Sequence, residues 1–114
     1  MQTLKKNIVR AMAIAPTMDV FAGNKVILVT AAGVISGVIN QENPDQCENL
    51  GRAGLLTVLD NVVDSYGEEN IDGNDGFVIL SDVTMLTGTN NRVNLDTLIV
   101  FYDQIIAATI GRGI

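Results

Sequence analysis

Residues 76–111 run GFVILSDVTMLTGTNNRVNLDTLIVFYDQIIAATIG, and this stretch decides the fold. It holds three runs rich in β-branched and aromatic residues, divided by turn formers, which is the pattern of consecutive strands. Residues 77–86 make the first strand, long for a globular domain and interrupted at its centre by Ser81-Asp82. TGTNNR at 87–92 is a hairpin loop, because glycine and asparagine tolerate the backbone angles a turn demands. Within residues 93–102 the next strand is placed at about 97–102, and the last at 105–110. Only Asp103-Gln104 separates these two.

Upstream lies a partner pair. Residues 25–30 (KVILVT) form a strand, Ala31-Ala32-Gly33 a tight turn, and residues 34–40 (VISGVIN) the return strand. Gly37 sits inside that second strand, where a glycine marks a bend, a bulge or a close backbone approach; we read it as a bend. The two blocks together predict one small, strongly bent, five-stranded sheet. Ahead of it, Leu4, Ile8, Val9 and Met12 recur at helical spacing, with Lys5, Lys6 and Arg10 on other faces. This predicts a short amphipathic helix over 3–14, capped by Thr3 and ended by Pro16. Lys5-Lys6 followed by Ala13-Ile14-Ala15 imitates a secretory leader, but Arg10 breaks the apolar run, so none is expected.

Residues 41–75 are of another kind. Asn43-Pro44 is a helix-start pair, with Gln46 placed as in a capping box. Leu55, Leu56, Leu59, Val62, Val63 and Tyr66 form a helical stripe that Gly67 closes, predicting a helix over 52–66. Gly51 and Gly54 lie ahead of it or near its start, each costing about 1 kcal/mol relative to alanine, so the helix is expected to break or fray before Arg52. Residues 68–76 (EENIDGNDG) are a polar loop. The fold class is therefore mostly β with helices (α+β), in a single domain of 114 residues.

Charge and composition narrow the function. Net charge is −6, and nine carboxylates between residues 41 and 75 face only Arg52, a local charge of −8. The remainder is only slightly cationic, at +2. A polyanion would be repelled from the middle block, so nucleic acid is not expected as a partner. No apolar run is long enough to span a membrane as a helix, and no membrane partner is expected. One cysteine, Cys47, excludes an internal disulfide and fits a reducing, cytoplasmic setting.

Catalytic and metal chemistry find no footing. With no histidine, Ser-His and Cys-His pairs are impossible, and one cysteine leaves no zinc set. Cys47 lies close to Asp45 and Glu48, which raise a thiol pKa rather than activate it. Reading residues 70–76 as the start of a calcium loop puts Asp75 where glycine is needed and Ser81 where glutamate is needed. Asp60 and Asp64 share a helix face, but the apolar stripe claims the buried side, so they are solvated surface. We expect no enzyme, no metal and no cofactor.

A short N-terminal helix, five strands, a bend glycine in the second and a minimal link between the last two resemble the Sm-like small β-barrel. KVILVTAAGVISGVIN (25–40) is similar to the first Sm motif and LIVFYDQIIAAT (98–109) to the second. The latter is near in flavour to the bacterial hexameric Sm protein, an RNA chaperone. A five-stranded barrel of the SH3 or OB type carries much the same pattern. The resemblance implies a strongly bent open barrel, with residues 41–75 inserted between strands two and three. Where the bacterial chaperone has tyrosine-lysine-histidine, this chain has Tyr102-Asp103-Gln104, a carboxylate in place of the cation.

That substitution turns the expectation from RNA towards assembly. The last two strands carry no charge or proline in LIVFY and IIAATI, and open strand edges must be covered or paired. We therefore expect a non-enzymatic module that pairs edges with copies of itself, or that binds another protein; in the alternative, the inserted helix at 52–66 covers an edge and leaves a dimer or monomer. Leu98, Val100, Phe101, Tyr102, Ile105, Ile106 and Ile110 are the expected interface. An RNA-binding alternative would use Lys5, Lys6, Arg10, Tyr102 and Gln104.

Overall fold

The computed structural model describes residues 4–13, 24–40, 44–46, 48–66, 76–88 and 91–112. Helix α1 (Leu4–Ala11) leads into strands β1 (Lys25–Thr30) and β2 (Gly33–Ile39). A 3₁₀ turn (Pro44–Gln46) and helix α2 (Leu50–Tyr66) follow. Strands β3 (Phe77–Thr87) and β4 (Arg92–Phe101), a 3₁₀ turn (Tyr102–Gln104) and β5 (Ile105–Gly111) complete the chain order. Two helices and a five-stranded antiparallel sheet make an α+β fold. No helix among the described residues is long and apolar enough to cross a membrane.

The sheet order is β4-β3-β2-β1-β5. Strands β4 and β5 are neighbours in sequence but occupy opposite edges. In a flat sheet those edges would lie about 19 Å apart, four strand spacings. The turn that joins them has three residues, and a 3₁₀ turn advances only about 2 Å per residue. The sheet must therefore roll until the end of β4 meets the start of β5. Among the described residues no ladder joins the two, so the roll stays open.

The sheet has two register shifts, one between Val29 and Thr30 on the β1–β5 ladder and one on the β2–β3 ladder, where the bend is built. From Ser36 to Val38 the partner on β3 shifts from Thr84 to Ser81, so β3 holds one residue more than β2. Asp82 takes up that extra residue with φ of 53°, a left-handed conformation that aspartate tolerates better than most side chains. Such a bulge bends the strand and increases its twist. Gly37 lies opposite, and a Cβ there would stand 3.1 Å from the Ser81 carbonyl oxygen, 3.2 Å from Leu80 Cβ and 3.3 Å from Val83 Cγ2. Strand β2 can approach the bulge closely because it has no side chain at this point. Lys25 reaches across β2 to Asp82, its Nζ 3.0 Å from the carboxylate.

Rolling the sheet creates the core. Val26 and Leu28 of β1, Ile35 of β2, Val78, Leu80 and Val83 of β3 and Val100 of β4 line the concave side. Tyr102 and Ile105 close one end, and Val9 of α1 enters the same cluster.

Several elements differ from the sequence expectation. Strand β4 begins at Arg92 rather than near residue 97, because Val93 and Leu95 alternate with polar residues and pair with Met85 and Val83. Tyr102 belongs to the 3₁₀ turn and not to the strand. Helix α2 starts at Leu50, where the Arg52 N–H donates to Asn49 Oδ1 at 2.9 Å, so Asn49 caps it. Pro44 opens the separate 3₁₀ turn instead. The cap at Thr3, the turn proline Pro16, Cys47 and most of the acidic loop lie outside the described residues.

Two glycine substitutions test the bend. Gly37→Val should lower stability by about 1–3 kcal/mol, the usual cost of overpacking. Gly33→Ala should cost more, since φ is 153° and its Cβ would overlap the backbone carbonyl oxygen of Leu86. Urea unfolding of both proteins measures this; two variants as stable as the parent would mean that the bend does not need these glycines.

Candidate interaction surface

The two open edges differ in how they are furnished. Strand β5 pairs with β1 along one side only, from Lys25↔Gly111 to Thr30↔Ile105. Its other side is an edge. Ile105 faces the core, whereas Ile106 is 69% exposed, and Ala107 and Thr109 are exposed beside it. No residue of β5 is charged.

Helix α1 lies next to this edge. Val9 anchors it in the core, and Lys6 Nζ stands 5.6 Å from the centre of the Tyr102 ring, a cation–π contact. Leu4 and Ile8, four residues apart and so on one face, remain exposed. Together with Ile106, Ala107 and Ala108 they line an open apolar groove of about 500 Å³, with Lys5 on its wall. Exposed apolar side chains grouped along an unpaired strand mark a surface made for contact.

The middle of β4 is tethered to α2. The Arg52 guanidinium of α2 donates through Nη2 to Asp96 Oδ1 at 2.7 Å and through Nε to Asp96 Oδ2 at 3.1 Å. Nε also lies 3.3 Å from Thr97 Oγ1, and that hydroxyl donates to Asp96 Oδ2 at 2.6 Å. This fork-on-fork geometry is the strongest form of the pair. The guanidinium and the Thr97 hydroxyl together hold the Asp96 carboxyl below its ordinary value of 3.8. Leu55 of α2 stands with Leu95 in the shallow groove between helix and strand. Beyond this contact α2 is sparsely covered: Leu56 is buried, while Val58 and Val62 are more than half exposed.

The seven residues expected to form the interface divide three ways. Val100, Tyr102 and Ile105 are core residues of the single chain, with exposures of 5% or less, and so cannot form an outer contact. Strand alternation turns Val100 and Ile105 inwards, and the 3₁₀ turn points Tyr102 the same way. Leu98 and Ile110 are half-buried, and Leu98 packs on the core. Phe101 and Ile106 stand outside, Phe101 edge-on to Phe77 across the β3–β4 ladder at 6.3 Å between ring centres.

The RNA set assembles only in part: Lys6 and Arg10 both stand beside Tyr102, whereas Lys5 and Gln104 lie elsewhere. Tyr102 is buried, its face is covered by Lys6, and burial raises its phenol pKa. It offers no ring for a base to stack on. Lys5 belongs to the groove, Arg10 is exposed and lines a second cleft together with Tyr102, and Gln104 Nε2 lies 3.4 Å from Asp103 Oδ1 on the outside of the turn. Among the described residues no group of three or more potential metal ligands comes together.

Sequence reasoning missed Arg52 and Asp96. They are 44 residues apart, and the one available hint is that Arg52 is the sole cation of the acidic block. Comparison with protein-family models and with curated proteins returns no match.

The pair predicts its own titration. Because the folded Asp96 carboxyl sits below its ordinary value, the contact is fully formed above that value and is lost as pH falls through the lowered one. Carbon-detected NMR titration should place Asp96 below 3.8, and Arg52→Ala should return it to the ordinary range. An Asp96 midpoint that ignores Arg52 would break this account.

Proposed function

We propose that this chain is a non-enzymatic, self-associating module of the Sm-like kind, whose work is to assemble and present surfaces to other proteins. The observation that carries this is the β5 edge: seven residues, uncharged, with no strand paired to its outer side among the described residues, carrying exposed Ile106 and flanked by exposed Leu4 and Ile8. In water such an edge is a template for another strand. The natural complement is the opposite edge, β4, on a second copy. An interface that joins two different edges is heterologous, so repetition gives a ring or a filament.

Three further features support the Sm-like reading. The strand order places the last two strands at opposite edges, a three-residue 3₁₀ turn links them, and an N-terminal helix covers one end of the core. The structure adds no support for RNA binding, because the one aromatic ring that reading relies on is buried.

Ile106→Asp tests the assembly. The side chain is mostly in water, so the single chain should fold with stability unchanged within about 0.5 kcal/mol. Light scattering across a concentration series should show the parent growing beyond the mass of one chain and the variant staying at 12.2 kDa. A parent that remains a single chain at millimolar concentration would overturn the proposal.

A further inference from the structure

Asp96 and Thr97 are consecutive residues of an edge strand, so their side chains leave opposite faces of the sheet. One guanidinium nevertheless bonds both. The inner side of β4 is taken by β3. Here the two side chains converge, the Thr97 hydroxyl donating to Asp96 at 2.6 Å, and Arg52 meets both while bringing the first turns of α2 alongside β4. Asn49, Gly51 and Leu55 stand there against Leu95. The first turns of α2 are thereby tethered beside residues 95–97 of β4, which themselves stay largely exposed, whereas the β5 edge carries no comparable ion-pair tether among the described residues.

We infer that the Arg52–Asp96–Thr97 contact is a latch: it holds α2 beside the strand-pairing edge of β4, and β5 of a second copy can dock there only when α2 swings aside. The latch deepens the self-association reading and rests on it for the identity of the docking strand. The strap is suited to release. Asp96 is exposed, so the ion pair is solvent-screened and of modest strength. Only Leu56 of the described α2 side chains is buried, so few apolar contacts hold the helix once the pair opens. Among the described residues the chain thus carries one edge without a tether and one with a releasable tether, which restrains uncontrolled polymerisation.

The experiment combines amide hydrogen exchange with sedimentation equilibrium on the full chain, its Arg52→Ala variant, and the charge-swapped pair Arg52→Asp with Asp96→Arg. Protection of β1 amides reports whether each variant keeps the sheet. Arg52→Ala should speed exchange at residues 95–98 and strengthen self-association about two- to fivefold, the shift a surface ion pair supports. The swapped pair should restore both towards the parent. Unchanged exchange at residues 95–98 in Arg52→Ala, or weaker association, would overturn the latch. Faster exchange with no association in any protein would uphold the latch and overturn the self-association reading instead.

Discussion

A three-residue turn has to join strands on opposite edges of a five-stranded sheet, and the rest of the structure depends on that constraint. The sheet can satisfy it only by rolling up. The roll needs a strand that bends, which the Asp82 bulge supplies, and a neighbour that tolerates the bend, which Gly37 supplies. The concave side then closes around Leu28 and Leu80, both fully buried. Tyr102 sits at the turn itself and fills the end of the core beneath α1, where Val9 and Lys6 hold it. A residue that the sequence presents as a surface knuckle is thus a structural plug.

The same constraint fixes what is left for association. A roll that does not close keeps two edges, and the chain treats them differently. β5 is uncharged and bordered by the apolar face of α1. β4 carries Arg92 and Asp96, and its middle is tethered to α2. Charge, one common way to blunt an edge, falls on β4, while β5 carries a bulge at Ile106. The proposed head-to-tail assembly uses this asymmetry, the untethered edge of one copy meeting the tethered edge of the next.

Much of this was legible in the sequence, for identifiable reasons. Strands rich in Val and Ile with turn residues between them announce themselves, and so did the interior glycine of β2. The first half of β4 was not legible, since VNLDT is too polar to read as a strand until Val83 and Met85 are seen opposite it. Asn43-Pro44 is a stronger helix-start signal than Asn49, yet Asn49 is the residue that caps α2. The candidate surface was half legible. The stretch from residue 98 to 110 does run through an edge strand, but local pattern could not sort Ile105, buried, from Ile106, exposed, across a 3₁₀ turn. The Arg52 contact joins segments with no local relation, so no periodicity could reveal it.

In the proposed assembly β5 is a strand-pairing edge that a second copy fills. Its most direct test is amide hydrogen exchange of β5 followed as the protein concentration is raised. The account predicts that amides of residues 105–111 directed away from β1 become progressively protected, while those bonded to β1 stay protected throughout. Exchange along that outer edge that is fast and independent of concentration would contradict it.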